Sequence, residues 1–187
     1  MILASSSPRR KEILSNMGFS FEVVSSDADE TFPDTLPAHE IPGMLAIRKA
    51  KAVQLQHPDA LILAADTVVD SGGKILNKPA SREEAISMLS MLSGKKHEVH
   101  SGYCILAGNR MFAGVDTTAV WFRQLRQPEM EWYVSHREVM DKAGAYGIQD
   151  WIGLIGVTRI EGSYFTVMGL PAHRIWEDLR EVGYAER

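Results

Sequence analysis

The apolar residues of the chain follow two different spacings, and their alternation predicts strands that are followed by helices. The short apolar run at residues 2–4 predicts a buried strand, and the helix after it begins at Pro8. A continuous apolar run, "ALILAAD", predicts a strand that is buried on both faces and ends at Asp66. Apolar residues at helical spacing predict further helices at 43–56, 82–94 and 170–182, with one more that Pro128 opens.

Turn residues divide the rest of the chain into short strands. Gly72 and Gly73 in "SGGK" predict a β-hairpin between residues 68–69 and 75–76. The acidic stretch at 25–43 contains three prolines and is predicted to be a surface loop. Further strands are predicted at residues 19–24, 99–106, 111–115, 117–125 and 163–168. Strands that alternate with helices, together with a hairpin, indicate an α/β fold with a mixed β-sheet flanked by helices.

Composition limits the protein to a few classes. A chain of 187 residues fits one domain, here taken as residues 1–187, or two lobes around a shared core. The net charge of -4 argues against a nucleic-acid partner, because such binders carry a broad basic surface. Cys104 is the one cysteine, which excludes an intrachain disulfide and favours a reducing compartment. No segment resembles a membrane span, so we expect a cytoplasmic protein with no membrane partner.

The stretch "ASSSPRR" combines a good helix start with an unusual pair of charges. Ser7 is a typical N-cap residue, and Pro8 is a typical first helical residue. Arg9 and Arg10 follow, although the positive end of the helix dipole disfavours basic side chains. Exposed N–H groups and two guanidinium groups suit an anion, so the run, including Ser7, predicts a phosphate site. The alternative is that both arginines point into solvent, which costs only about 0.3–1 kcal/mol each.

Two further segments contain candidate functional residues. In "LAADTVVD", Asp66 is either a turn-former or a functional acid, and Thr67 adds a hydroxyl beside it. Lys78 in "NKP" either returns towards Asp66 after the hairpin or lies in a solvated loop. The segment "DKAGAYGIQD" contains Gln149, whose amide can read the edge of a base with one donor and one acceptor. The alternative for this segment is a glycine-rich loop without a role in binding.

Several motifs occur together in an order that matches one family. They are "ASSSPRR", "AADTVV", "NKP", "MLSGKKHEVHSG", "DKAGAYGIQ" and "VMGLP". Together they resemble the Maf family of nucleoside triphosphate pyrophosphatases over nearly the whole chain. The resemblance implies a mixed α/β fold similar to that of inosine triphosphate pyrophosphatases, with two lobes around a cleft. It also implies cleavage of a nucleoside triphosphate to the monophosphate and diphosphate with a divalent metal cation, and a homodimer.

The resemblance extends to one branch of the family and to single residues. "DKAGAYGIQ" resembles the branch that acts on dTTP and UTP, whereas the sibling branch that prefers 7-methyl-GTP has a different segment there. By position, Arg9, Thr67 and Gln149 match the specificity residues of the family, and Asp66 matches its proposed proton acceptor. The further basic positions that face the phosphates are matched by Arg10, Lys49 and Lys78.

A divalent cation, Mg²⁺ or Mn²⁺, completes the expected site. Asp66 and an acidic partner, either Asp29 or Glu30, are expected to hold it, since hard oxygen ligands and bridging phosphates suit these ions. In this hypothesis water attacks the α-phosphorus and diphosphate leaves. Asp66 acts either as the base or as a metal ligand, and the sequence leaves both roles open.

Two other functions remain as alternatives. The first is the 7-methyl-GTP pyrophosphatase activity of the sibling branch. The second is a nucleotide-binding regulator without turnover, because the family is also named for inhibition of septum formation. The set of Asp66, Arg9, Arg10 and Lys78 argues against a pure regulator, which needs no buried acid beside the phosphates. The expected role of the dTTP and UTP activity is the cleansing of nucleotide pools or cell-division arrest.

Overall fold

The computed structural model describes residues 1–185, in which strands and helices alternate. The strands are β1 Ile2–Leu3, β2 Glu22–Val23, β3 Leu61–Ser71, β4 Lys74–Leu76, β5 Lys96–Ala107, β6 Arg110–Phe122 and β7 Val157–Glu161. The α-helices are α1 Pro8–Asn16, α2 Ile41–Gln54, α3 Arg82–Leu92, α4 Gln127–His136, α5 Trp151–Gly156, α6 Tyr164–Met168 and α7 Ala172–Glu181. A 3₁₀ turn covers Ala143–Ala145.

The strands form a mixed sheet in the order β2-β1-β3-β5-β6-β7, with β4 paired to β3. β1 pairs in parallel with both β2 and β3, and Leu3 lies opposite Leu63. The β3–β4 and β6–β7 pairs are antiparallel. Parallel and antiparallel pairs within one sheet, with helices between strands along the chain, confirm the predicted mixed α/β fold.

The residues group into two compact units. Among the described residues, unit 1 comprises 1–67, 101–116 and 169–185, and unit 2 comprises 68–100 and 117–168. The long strands β3, β5 and β6 each begin in one unit and end in the other. The expected single domain stays a prediction.

The core of unit 1 includes the contact between α2 and one face of the sheet. Residues two apart on a strand point to the same face, and residues three or four apart on a helix do the same. Small side chains on α2, such as Ala46 and Ala50, allow the helix backbone to come close to the strands. The cluster contains Ile2, Ala4, Ala46, Ala50, Val53, Ile62, Ala64, Cys104 and Leu106. The next residue on this face of β3 is Asp66, so the packing directs its carboxylate towards α2.

Unit 2 contains the packed helices α3 and α4. Ser81 is the N-cap of α3, and its Oγ accepts a hydrogen bond from the N–H of Glu84 at 3.2 Å. The Glu84 carboxylate in turn accepts a hydrogen bond from the N–H of Ala80 at 2.7 Å. The side chains of Ser81 and Glu84 therefore accept hydrogen bonds from backbone N–H groups at the N-terminal end of α3. The predicted start of this helix is confirmed.

Two predicted strand boundaries are wrong. β3 does not end at Asp66 but continues to Ser71, because Val68 and Val69 are buried and the strand pairs with β4. The predicted strands at 111–115 and 117–125 are replaced by one continuous strand, β6, which ends at Phe122, so residues 123–125 lie outside it. β6 has neighbours on both sides in the sheet, and this pairing is a tertiary feature that the local pattern does not contain.

The predicted strand at 163–168 is also wrong, since this segment forms the short helix α6. β6 pairs with β5 on one side and with β7 on the other, where Ile160 lies opposite Val120. Gly162 follows β7 with a φ of +126°, a backbone conformation that ends the extended path. The predicted strand at 19–24 is reduced to the two residues of β2.

Within residues 1–185, no helix combines the length and the apolar character that a membrane crossing requires.

Candidate active site

The start of α1 supplies the first candidate residues. Ser7 occupies the N-cap position and Pro8 begins the helix, as predicted. The Ser7 hydroxyl makes no capping hydrogen bond, contrary to expectation, and the N–H of Ser7 donates to Ser5 Oγ at 3.2 Å. The first turn of α1 contains no acidic residue, so the positive end of the helix dipole keeps its attraction for an anion.

Arg10 is fixed by three hydrogen bonds inside unit 1. Its Nε donates to the carbonyl of Gly169 at 2.9 Å. Its Nη1 donates to Ser5 Oγ and its Nη2 donates to Thr67 Oγ1, both at 3.1 Å. Each Nη carries a second N–H, so a guanidinium held in this way still presents two donors in a fixed orientation.

The charges around Arg10 explain how two arginines can follow each other. Burial lowers the pKa of Arg10, and the neighbouring charge of Arg9 lowers it further. The negative charges of Asp66 and Glu30 oppose this lowering. The repulsion between the two guanidinium groups is therefore balanced in part by carboxylates of the same unit.

Thr67 joins Arg10 to a cluster of hydroxyl groups. Its Oγ1 lies 2.8 Å from Ser101 Oγ and donates at 3.4 Å to the carbonyl of Gly169. The sequence did not single out Ser5, Ser101 or Gly169 as members of this cluster. The available signal was that each of them lies in or beside a motif of the family, "ASSSPRR", "MLSGKKHEVHSG" or "VMGLP".

Asp66 and Lys49 form a buried ion pair in unit 1. Lys49 Nζ lies 2.5 Å from Asp66 Oδ1 and 2.7 Å from Glu30 Oε1. The side chains of Lys49 and Asp66 are 10% and 13% exposed, whereas that of Glu30 is 54% exposed. Removing one partner of a buried pair costs about 3–5 kcal/mol. Lys49 therefore stabilises the buried carboxylate of Asp66 and fixes its orientation.

The two neighbouring acids that the sequence left as alternatives have different partners. Asp29 accepts hydrogen bonds from the N–H of Thr31 at 2.9 Å and from its hydroxyl at 2.7 Å. These bonds lower the pKa of Asp29. Glu30 instead contacts Lys49, so Glu30 is the acid that the structure brings to the Asp66–Lys49 pair.

The donor chemistry of Asp66 and Glu30 fits a divalent cation. Carboxylate oxygens are hard ligands, and Mg²⁺ commonly uses one or two carboxylates together with substrate phosphates. Both carboxylates already contact the ammonium group of Lys49, so they converge on one region. Among residues 1–185, no group of three or more His, Cys, Asp or Glu side chains could hold a metal ion. A cation at this pair would therefore need further ligands from a substrate.

In unit 2, Lys78 lies in an exposed segment after β4. The carbonyl of the preceding residue, Asn77, accepts a hydrogen bond from the N–H of Gly144 at 3.2 Å.

Gly144 has a φ of +67°, and a Cβ there would lie 3.2 Å from Val69. Ala145 has a φ of +60°, which costs about 1–2 kcal/mol for a residue with a side chain. The surrounding structure therefore enforces this backbone conformation.

Gln149 lies in a tight turn of unit 2. The N–H of Asp150 donates to the carbonyl of Gly147 at 3.0 Å, which makes Gln149 the third residue of the turn. Gln149 Oε1 is buried and accepts no hydrogen bond from the described residues. A buried acceptor without a donor costs about 1–3 kcal/mol, so a donor that the described residues do not supply would stabilise this oxygen.

A buried cluster of rings supports the segment that precedes Gln149. His97 Nε2 lies 2.7 Å from the hydroxyl oxygen of Tyr146. Phe122 packs edge-on against both rings, with centroids 5.2 Å from His97 and 5.0 Å from Tyr146. Burial lowers the pKa of His97 to about 4. The imidazole is therefore neutral at pH 7.

We expect the stability of the protein to fall below pH 6.5 because of His97. Its pKa is about 4 in the folded protein and 6.5 without burial, so the unfolded chain binds the proton more tightly. This contribution to the free energy of unfolding is complete above pH 6.5. It is lost as the pH falls towards 4, up to about 3 kcal/mol. Urea unfolding of wild type and His97→Gln between pH 4.5 and 7.5 measures the difference.

The exposed His136 provides the control for this prediction. A His136→Gln variant is expected to keep the pH dependence of the wild type, whereas His97→Gln flattens it. Equal slopes in wild type and His97→Gln would contradict the role of His97.

The fold and the unit 1 cluster define an α/β protein with a candidate anion site at the basic start of α1 and a buried carboxylate in the same unit. A family model described as Maf-like protein matches residues 1–182. The chain therefore belongs to the Maf family, and the resemblance seen in the motifs is confirmed.

Relatives are similar to this chain over nearly its full length. The dTTP/UTP pyrophosphatase of Phocaeicola vulgatus is 47% identical over 186 residues, covering 97% of this chain and 95% of the relative. The dTTP/UTP pyrophosphatase of Bacteroides fragilis is 46% identical with the same coverage. The dTTP/UTP pyrophosphatase of Geobacillus sp. is 44% identical over 184 residues, covering 98% of both chains. The similarity therefore extends well beyond the short motifs.

Proposed function

We propose that this chain hydrolyses dTTP and UTP to the nucleoside monophosphate and diphosphate. The observation that carries the proposal is the buried Asp66–Lys49 pair near the basic start of α1. It lies in a chain that is 44–47% identical to three relatives named dTTP/UTP pyrophosphatase. The predicted function agrees with the names of these relatives.

The phosphates are proposed to bind at basic groups. In unit 1, Arg10 presents a guanidinium that its internal hydrogen bonds hold in place, and Arg9 and the helix start at Ser7 add charge and N–H donors. Lys49 adds a further positive charge next to Asp66. In unit 2, the exposed Lys78 is the candidate for an additional phosphate contact.

Asp66 is proposed to accept the proton of the attacking water. The water oxygen forms a bond to the α-phosphorus, the bond to the bridging oxygen breaks, and diphosphate leaves. Lys49 orients the Asp66 carboxylate, and the arginines neutralise the charge that develops on the phosphates. Thr67, held by Arg10 and Ser101, is a candidate specificity residue of this unit together with Arg9.

Asp66 and Glu30 are proposed to hold the divalent cation, Mg²⁺ or Mn²⁺. Asp29 fits this role less well, because both of its oxygens accept hydrogen bonds from Thr31. When bound, the cation would neutralise phosphate charge and lower the pKa of a coordinated water.

Gln149 is proposed to recognise the base. Its unpartnered Oε1 can accept a hydrogen bond from the N3–H of thymine or uracil. Cytosine carries no proton on N3 and would leave this oxygen without a donor. A site built to pair with a hydrogen-bonding group rejects analogues that lack it. Recognition of N3–H by Gln149 would therefore favour dTTP and UTP over CTP.

The proposed function is tested by a panel of triphosphates with added Mg²⁺ or Mn²⁺. We expect diphosphate release from dTTP and UTP at a kcat/KM well above that for CTP and 7-methyl-GTP. A preference for 7-methyl-GTP would assign the chain to the sibling activity. Binding of dTTP without diphosphate release would identify a regulator instead. The cytoplasmic location and the homodimer stay predictions.

Gln149→Ala is expected to lower the ratio of kcat/KM for dTTP over CTP by about tenfold or more, because the acceptor for N3–H is lost. The exposed Gln127, whose amide donates to Glu131 at 2.8 Å, offers a control in the same unit. Steady-state kinetics of both variants measure the ratio. If Gln149→Ala kept the wild-type ratio, the base would be recognised elsewhere.

A further inference from the structure

The first and last residues of the turn that contains Gln149 both form hydrogen bonds with one side chain. Tyr133, on α4, donates its hydroxyl to Asp150 Oδ2 at 2.8 Å. The same hydroxyl oxygen accepts a hydrogen bond from the N–H of Gly147 at 3.2 Å. The first and fourth residues of the turn are thus joined by a single phenol, in addition to the backbone hydrogen bond between them.

Tyr133 is well suited to hold the turn in one conformation. Its side chain is fully buried, and α4 packs against α3. A buried phenol has few rotational states, so its hydroxyl is placed by the packing of the ring rather than by the turn. Lys142 Nζ lies 3.8 Å from the same Asp150 oxygen and places a positive charge beside this acceptor.

The geometry around Gly147 connects the hydrogen bonds of Tyr133 to the position of Gln149. A Cβ at Gly147 would lie 2.6 Å from Asp150 Oδ2 and 3.2 Å from Gln149 Oε1. The carboxylate held by Tyr133 and the unpartnered amide oxygen therefore occupy neighbouring positions above the same glycine. A shift of the turn would therefore move Gln149 Oε1 with it.

We propose that Tyr133 is a positioning residue for base selection, which holds the 147–150 turn so that Gln149 Oε1 is aimed at the base. This inference rests on the proposed function, since it concerns how dTTP and UTP are distinguished from CTP. In this proposal Tyr133 does not contact the substrate and acts through Gly147 and Asp150. Its hydroxyl should therefore affect selectivity for the base more than the rate of the chemical step.

The experiment compares Tyr133→Phe with Tyr103→Phe. Tyr103 is a buried tyrosine of unit 1 whose hydroxyl donates to Asp178 at 2.6 Å, so the control loses the same type of bond away from the turn. Tyr133→Phe is expected to lower the kcat/KM ratio of dTTP over CTP by about fivefold, mainly through a higher KM for dTTP. Tyr103→Phe is expected to keep the wild-type ratio.

A double variant tests whether Tyr133 acts through Gln149. When Gln149 is already alanine, Tyr133→Phe should change the dTTP over CTP ratio no further, because the two residues serve one contact. Independent, additive losses would overturn the proposal. An unchanged ratio in Tyr133→Phe, or an equal loss of kcat for all triphosphates, would also overturn it.

A second variant guards against poor folding of Tyr133→Phe. Asp150→Ala removes the acceptor of the phenol without changing the packed ring, and it is expected to lower the same ratio. A folded Asp150→Ala protein with the wild-type ratio would overturn the proposal. If the wild-type protein itself released no diphosphate from dTTP or UTP, the proposed function would fail, which this panel distinguishes from a failure of the inference alone.

Discussion

Replacement of Asp66 by asparagine is expected to lower kcat for dTTP by about 10²–10⁴-fold. The carboxamide has nearly the shape of the carboxylate but cannot accept a proton from water at neutral pH. It also removes one of the two carboxylates proposed to hold the cation. Diphosphate release under saturating dTTP and Mg²⁺ measures the loss.

The same strand offers a matched control for Asp66. Asp70 lies four residues further along β3, and its carboxylate accepts a hydrogen bond from the N–H of Gly73 at 2.6 Å in the hairpin. Asp70→Asn keeps an acceptor oxygen there and is expected to retain near-wild-type turnover. In Asp66→Asn, Lys49 keeps its contact with Glu30, so we expect a folded protein. A folded Asp66→Asn variant with more than about a tenth of the wild-type kcat would remove Asp66 from the proton transfer.

Replacement of Gly102 by alanine is expected to lower the free energy of unfolding by about 3 kcal/mol. A Cβ at Gly102 would lie 2.3 Å from the backbone nitrogen of Gly43 and 2.4 Å from the carbonyl oxygen of Pro42. These atoms belong to the first turn of α2, so no side-chain rotation can relieve the clash. Because α2 also carries Lys49, its displacement should weaken the pair with Asp66 and lower activity as well.

Gly108 serves as the comparison for Gly102. It has a φ of +58°, but a Cβ there would meet no atom within 4 Å. Gly108→Ala therefore carries only the cost of the left-handed backbone, about 1 kcal/mol. Urea unfolding of both variants measures the difference. Equal losses of the free energy of unfolding in Gly102→Ala and Gly108→Ala would show that α2 does not approach β5 this closely.

Elements with strong local signals could be predicted from the sequence. Gly72 and Gly73 adopt φ values of +65° and +91°, as a two-residue hairpin turn requires, and the capping residues at Ser81 begin α3. The end of β3 and the identity of β7 could not be predicted in this way. Both are decided by strand pairing, and the apolar pattern of residues 163–168 fits a strand as well as the helix it forms.

Some contacts of the candidate site could likewise be predicted from the sequence, and others could not. The spacing of Ile62, Ala64 and Asp66 on one face of β3 was visible in the sequence, and it is this face that brings Asp66 to Lys49. The hydrogen bond from Arg10 to Gly169 was not visible, because Gly169 is 159 residues away along the chain. The run of two arginines is therefore explained partly by contacts within the protein and only partly by the proposed phosphate site.

The most direct test of the proposed activity is the identity of the bond that is cleaved. The wild-type protein is incubated with dTTP and Mg²⁺ in H₂¹⁸O, and the products are identified by mass spectrometry. The account predicts dTMP carrying the ¹⁸O label and an equal amount of unlabelled diphosphate, because water attacks the α-phosphorus. Formation of dTDP and inorganic phosphate, or intact dTTP after incubation with the folded protein, would contradict it.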